Sequence, residues 1–289
     1  MREAAIPRTG HIIFRISPGD PAQLPIFDGN FMLPFFYISI FHNDVQEITL
    51  DEDTSKHIVQ VLRMQSGEAL QLTDGKGALL TAVIVEDHKK KCRVRLQSAI
   101  FQPPPKRNVV VAISLLKNAS RFEWFLEKAT EIGVSSIIPL LCERTEKQHA
   151  RTDRLRNILV SAMLQSQQTW LPDLLDPMSF ADLLSNPRAE ARFIAHCLEE
   201  PQPTIALADR RQYTPNPALA KTAPASVAPA SAAQQAVPSQ LILIGPEGDF
   251  SPKEIESALK EGFLPVTLGD NRLRTETAGV VAATLLCIG

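Results

Sequence analysis

Little in this chain is extreme, and several absences narrow what it can be. Its 289 residues hold four cysteines, two tryptophans and two tyrosines, and its formal net charge is only −2. The cysteines (Cys92, Cys142, Cys197, Cys287) stand far apart without a C-x-x-C pair, which argues against a zinc site and against a disulfide framework. Reduced thiols in a cytoplasmic protein are the expectation. No apolar run approaches the roughly 20 residues that cross a bilayer. Met1 to Ser17 carry Arg2 and Arg8 but no sustained apolar segment and no small-residue cleavage site, so a secretory signal is not expected. No G-x-G-x-x-G follows an expected strand and no G-x-x-x-x-G-K-[ST] occurs, which disfavours Rossmann and P-loop nucleotide sites. The small net charge does not advertise a polyanion partner, although local basic patches bind phosphate on neutral proteins.

What is present is an ordinary globular composition, 44% hydrophobic and 21% charged, in a length that suits two domains. Residues 1–31 are rich in Pro and Gly, lack periodicity, and read as a poorly ordered extension; Met32 opens a segment that looks like a more natural start. From about 35 to 102 the signals are mostly β. Ala69 to Thr73 runs into Asp74-Gly75, a hairpin signal because both residues tolerate positive φ. Leu79 to Val85 and Cys92 to Leu96 read as further strands, and Asp53 to Met64 as a short helix with Ile58, Val61 and Leu62 at helical spacing. The spacing predicts a small β-barrel-like module over 32–103. Pro103-Pro104-Pro105 is stiff, donates no ladder hydrogen bonds and marks a boundary.

Over 106–289 strands alternate with helices, which predicts an α/β domain with a largely parallel sheet. Val109 to Leu116, Ser136 to Leu141, Phe193 to His196 and Leu241 to Ile244 are the strands. Arg121 to Ile132 is a helix with Phe122, Phe125, Leu126 and Ala129 on one face and Gly133 as its stop; Arg154 to Gln168 is a second, with Leu155, Ile158, Leu159 and Ala162 inward. Residues 215–239, nearly all Ala, Pro, Ser, Gln and Thr, offer too little apolar surface to offset their ordering entropy and read as a flexible insertion.

The chemistry concentrates between Leu241 and Ala278. A strand ending at Ile244 runs into Gly245-Pro246-Glu247-Gly248-Asp249-Phe250. Ser251-Pro252-Lys253-Glu254 then supplies an N-cap, a proline at the first helical position and a capping box. Leu264 to Leu268 is the next strand, and Gly269 opens a loop that carries Arg272-Leu273-Arg274-Thr275-Glu276 into an apolar helix. Two glycine-bearing loops, each followed by a helix N-terminus, thus lie at strand carboxyl ends, where open α/β sheets bind ligands.

These residues resemble the ribosomal RNA small subunit methyltransferase E family, which makes 3-methyluridine in 16S rRNA. The resemblance rests on Ile244-Gly245-Pro246-Glu247-Gly248 and on Leu268-Gly269 followed by Arg272-Leu273-Arg274-Thr275-Glu276-Thr277-Ala278. Further matches are Lys117, Glu123, Lys128 to Val134, Glu143-Arg144, Ser166-Gln167, Leu171-Pro172, and His57 with Val61-Leu62-Arg63; together they span about residues 32 to 289. The resemblance implies a SPOUT-type trefoil-knotted α/β domain after an N-terminal PUA-like β-barrel that helps hold RNA, a homodimer, and S-adenosyl-L-methionine bound by the knotted loops. Asp249 departs from it, standing where many relatives have a second glycine.

The expected cofactor residues are Ile244, Gly245, Glu247, Gly248, Leu268, Gly269, Leu273 and Thr275, with His196 at a strand end. Arg274 is the first choice for stabilising a deprotonated uracil, the alternative being an ion pair to Glu247 or Glu276. Glu276 is a candidate base, although an acid in the first turn of a helix is also favoured by the helix dipole. Arg63, Lys117 and Arg144 are expected to bind RNA; Arg121, Lys147 and Arg151 lie in the same loops, and Lys89 to Lys91 read as solvated surface. His57, Trp124 and Trp170 read as packing or interface residues. Two rivals stay open: a ribose 2′-O-methyltransferase of the same fold class, and a non-catalytic RNA-binding assembly factor. No metal and no membrane partner are expected.

Overall fold

A computed structural model describes residues 12–14, 33–42, 45–146, 151–187, 189–197 and 239–288. Nearly all of the 1–31 extension, Lys147, and the 215–239 insertion up to its last residue lie outside the described residues. The chain divides into two compact units. The first is Met1–Pro104 together with Met163–Leu171, and the second is Pro105–Ala162 together with Pro172–Gly289.

In the first unit, β1 (Ile12–Phe14), β2 (Phe35–Tyr37), β3 (Glu47–Thr49), β4 (Ala69–Thr73), β5 (Ala78–Glu86) and β6 (Arg93–Phe101) form one sheet. Its order is β1-β6-β5-β4-β2, with β3 also on β6. Burial alternates along β5, where Ala78, Leu80, Ala82 and Ile84 are buried and the residues between them are half-exposed, as a sheet with one covered face requires. The β4–β5 hairpin closes where Asp74 was expected to turn the chain: its carboxylate accepts from the amides of Lys76 (2.8 Å) and Ala78 (3.2 Å), and Gly75 and Gly77 take φ of 70° and 99°. At Gly77 a Cβ would lie 2.7 Å from the indole of Trp170. Glycine is therefore required twice over, for its φ and for its missing side chain. Trp170 Nε1 donates to the carbonyl of Pro103 (3.0 Å), and its ring meets Phe101 edge-on. The prolines announced a boundary, yet the segment Met163–Leu171 packs with this unit; a returning segment leaves no mark on the boundary itself.

The expected helix over 53–64 differs in a telling way. Helix α1 (Glu52–Lys56), capped by Asp51, gives way to a π-helical turn over His57–Val61, with the Leu62 amide bonded to the His57 carbonyl (2.9 Å). The wider turn rotates the later side chains off the α-helical spacing. Ile58 is fully buried, but Val61 and Leu62 are 66% and 45% exposed, the reverse of what a regular helix would do. His57 packs edge-on against Phe36.

The second unit is built on a parallel sheet. Its strands are β7 (Asn108–Ser114), β8 (Ser136–Leu141), β9 (Asp173–Leu174), β10 (Met178–Ser179), β11 (Ala191–Ala195), β12 (Ser239–Ile244) and β13 (Leu264–Val266). The order is β10-β8-β7-β12-β11-β13, with β9 also on β8, and every pairing is parallel. Helix α2 (Ala119–Ile132) is capped by Asn118 and stopped by Gly133 at φ 97°. Then come α3 (Thr152–Gln165), α4 (Phe180–Ser185), α5 (Pro252–Lys260) and α6 (Thr275–Cys287). The capping box read from Ser251 and Glu254 forms in both directions. One apolar cluster joins the sheet to α4 and α5 through Phe180, Leu183, Ile255 and Ala258. Helix α6 packs against α2, β7 and β12. Gly279 makes that approach possible, since a Cβ there would meet Phe125 at 2.7 Å and Ile113 at 2.8 Å.

Candidate functional site

A cavity of about 450 Å³ opens in the second unit at the carboxyl ends of β11 and β12. Its lining residues include Ile244, Gly245, Glu247, Leu273, Arg274 and Thr275. The two glycine-bearing loops therefore meet around one space, as two tight turns of purely structural purpose would not need to do. Leu268 and Gly269 are not part of the lining; Gly269 turns the second loop with φ 143°, a backbone state that side chains disfavour. Gly248 also stays out of the lining. Its carbonyl accepts a hydrogen bond from Arg144 Nη1. His196 is not among the lining residues, whereas its neighbours Ala195 and Cys197 are.

The first loop is fastened at three consecutive residues. The Glu247 carboxylate accepts from Arg121 Nη1 at 2.8 Å, reaching the first turn of α2. Gly248 is held by Arg144 from the end of β8. Asp249 takes a left-handed φ of 64°, and its carboxylate accepts from the amides of Cys197 (2.9 Å) and Phe250 (2.8 Å). Aspartate is among the few side chains that tolerate that backbone state, and here it also ties the loop to the end of β11. The loop after β8 is itself braced, with the Glu143 amide donating to Glu254 at 2.8 Å and Thr145 Oγ1 lying 2.8 Å from Ser114 Oγ.

The second loop is fastened differently. Thr267 and Gly269 exchange hydrogen bonds with one another, but the side chains of Arg272 and Arg274 make no ion pair or hydrogen bond among the described residues. Arg274 is the N-cap of α6 and caps nothing with its side chain. The ion pair to Glu247 or Glu276 considered for Arg274 is taken by Arg121, whose Nε lies 3.7 Å from Glu276 Oε1. Glu276 is not a lining residue. Its side chain is 8% exposed and its Oε2 is buried without a hydrogen-bond partner. A base must reach the proton it takes, and this placement argues against that role.

Of the expected RNA contacts, Lys117 pairs with Glu146 at 2.8 Å, and that hydrogen bond raises its pKa. Arg144 is engaged with Gly248. Arg63, in the first unit, is exposed with a left-handed φ of 57°. Burial raises the pKa of all four thiols. Burial, then the charge of Glu254, pushes Cys142 up to about 12. Cys197 is raised by burial and by Asp249, and Arg272 opposes the shift. Arg121 and Arg272, which the sequence reading did not assign to the cofactor site, line the cavity with Asp249. Only the oddity of an aspartate beside two loop glycines pointed toward any of them.

The family model of the RNA methyltransferase domain matches residues 102–287. The chain belongs to that family. A second model, the RNA methyltransferase PUA domain, matches residues 50–97, so this methyltransferase carries a PUA-like domain ahead of its α/β unit. It is similar to ribosomal RNA small subunit methyltransferase E of Synechocystis sp., 29% identical over 238 residues, which cover 81% of this chain and 71% of that protein. Among solved structures, a probable rRNA-methyltransferase from Porphyromonas gingivalis is 37% identical with a TM-score of 0.72, covering 88% of the methyltransferase and 98% of its counterpart. A ribosomal RNA small subunit methyltransferase E from Neisseria gonorrhoeae, bound to S-adenosyl methionine, is 25% identical with a TM-score of 0.71, covering 87% and 95%.

Proposed function

We propose that this methyltransferase uses S-adenosyl-L-methionine to methylate N3 of a uridine in 16S rRNA of the small ribosomal subunit, as a cytoplasmic homodimer. The observation that carries the reading is the cavity between the two loops, with paired acids on one wall and, on the other, two arginines whose side chains have no partner among the described residues. Its residues fit the cofactor. Ile244, Ala195, Leu273 and Ala278 offer apolar surface for an adenine, and Gly245 and Pro246 bring buried backbone to the edge of the space. Glu247, Asp249, Arg272 and Arg274 suit a molecule carrying both positive and negative groups. A volume near 450 Å³ lies within the usual range for small-molecule sites.

When bound, S-adenosyl-L-methionine supplies a methyl group on a sulfonium, and the chain supplies position and electrostatics. Uridine N3 becomes a nucleophile when its proton leaves, and the negative charge then spreads onto the base oxygens. In this reading the guanidinium of Arg274, a residue of the cavity wall with no side-chain partner among the described residues, stabilises that charge. Arg63, on the exposed turn of the PUA-like domain, and Lys117 and Arg144 beside the cavity are the proposed phosphate contacts. For Lys117 and Arg144, RNA competes with Glu146 and with the Gly248 carbonyl. The trefoil thread is part of the proposal: β13 pairs beyond β11, and α6 then returns to pack on β12, β7 and α2. Trp124, 43% exposed on α2, supports a homodimer interface.

The deciding experiment is incubation with labelled S-adenosyl-L-methionine and small-subunit particles lacking the modification, followed by nucleoside identification. Label in 3-methyluridine is the expected result. Label in a 2′-O-methylated nucleoside would replace the base with the ribose, and no transfer with no donor binding would leave an RNA-binding assembly factor.

A further inference from the structure

The two walls of the cavity come from separate loops, yet one side chain reaches an acid in the first loop and an acid in the helix that follows the second. Arg121, in the first turn of α2, donates from Nη1 to Glu247 at 2.8 Å and places Nε 3.7 Å from Glu276 Oε1. Glu247 belongs to the loop after β12, and Glu276 to the first turn of α6, directly after Arg274 and Thr275. The guanidinium is planar and forked, so its two edges can face two carboxylates at once only while both are held near one plane. The shorter contact is a charge-assisted hydrogen bond, and the longer one is an ion pair without a hydrogen bond.

Burial makes the second limb consequential. Glu276 is 8% exposed while Arg121 is 37% exposed, so the carboxylate depends on the guanidinium far more than the reverse. With Oε2 buried and without a hydrogen-bond partner, Arg121 is the one cation paired with Glu276 among the described residues. Removing a cation from a buried carboxylate leaves an uncompensated charge, which destabilises the local structure and loosens the backbone that carries it. That backbone is the stretch that sets Arg274 and Thr275 against the cavity.

We propose that Arg121 is a positioning residue that staples the two cofactor loops together through Glu247 and Glu276, fixing the width of the cavity. The role assigned to Glu276 is to receive the staple. This rests on the cavity being the methyl-donor site, and the test separates the two ideas by reading the loops without ligand as well as with it.

Hydrogen exchange is followed on the ligand-free full-length protein over residues 245–250 and 274–279. Arg121→Met (R121M) is expected to speed exchange in both segments. Adding Glu276→Gln (R121M/E276Q) is expected to restore the second segment alone, because a neutral amide no longer needs a cation. Calorimetry with S-adenosylhomocysteine is expected to give roughly tenfold weaker binding for R121M, with partial recovery in the double variant. Should R121M fail to fold, Arg121→Lys, which keeps the charge but lacks the fork, must loosen one of the two segments. Unchanged exchange in both segments of R121M, a change confined to one segment, or no recovery with E276Q overturns the staple. Faster exchange in both segments of R121M from a wild-type protein that binds no S-adenosylhomocysteine keeps the staple and overturns the donor site.

Discussion

The loop after β12 and the loop before α6 face each other across one cavity, and they are built on opposite principles. In the first, Glu247, Gly248 and Asp249 are each bonded to a different element: α2, the end of β8 and the end of β11. In the second, the hydrogen bonds are internal, and the side chains of Arg272 and Arg274 have no partner among the described residues. A wall that must hold a ligand in one pose benefits from being preformed, because ordering it on binding would cost affinity. A wall that must meet a charged substrate keeps its cations unspent. We propose from this contrast that the first loop does most of the work of holding the donor, while Arg274 on the second, beside the apolar contacts of Leu273, serves the RNA step.

The sharpest way to break this division is Arg274→Ala (R274A). Methyl transfer to small-subunit particles should fall about a hundredfold, the usual size for one stabilising donor, while S-adenosylhomocysteine binding measured by calorimetry stays unchanged. Equal loss of binding would erase the distinction between the loops. Arg144→Ala should act the other way, since it frees the Gly248 carbonyl. Donor affinity should drop about tenfold, in line with a lost hydrogen bond from a charged group, with turnover at saturating donor near wild type. A smaller effect is expected for Gly269→Ala. A φ of 143° is strained for any side chain although the space around it is open, so thermal unfolding should register a loss of about 1 kcal/mol. The finest probe is Cys197, which Asp249 of one loop and Arg272 of the other push in opposite directions. Asp249→Asn should lower the thiol's pKa, giving more thiolate and faster alkylation at pH 8. Arg272→Ala should raise it and slow the reaction, each by about twofold. Rates that move together would mean that Cys197 does not sense both loops.

Much of this was legible in the residues, and the exceptions share a cause. The capping box of α5, the glycine stop of α2, the parallel strands and the meeting of the two glycine loops follow from patterns within a few residues of one another. Arg121 could be read only as one basic residue among several, because its partners lie in other segments and spacing carries no signal for such a contact. The outward turn of Val61 and Leu62 depends on a single wider helical turn, which helical periodicity cannot report.

The packing of Trp170 and Leu171 against Gly77 and Gly75 has a consequence for how the protein is made. The N-terminal unit cannot be finished from its own consecutive stretch of chain. During synthesis it must wait until residue 171 has left the ribosome, by which time β7, α2 and β8 have already emerged. A fragment cut at the proline run would leave those two glycines facing an empty slot, so transplanting the PUA-like domain onto another enzyme requires carrying the distant nine-residue strip as well.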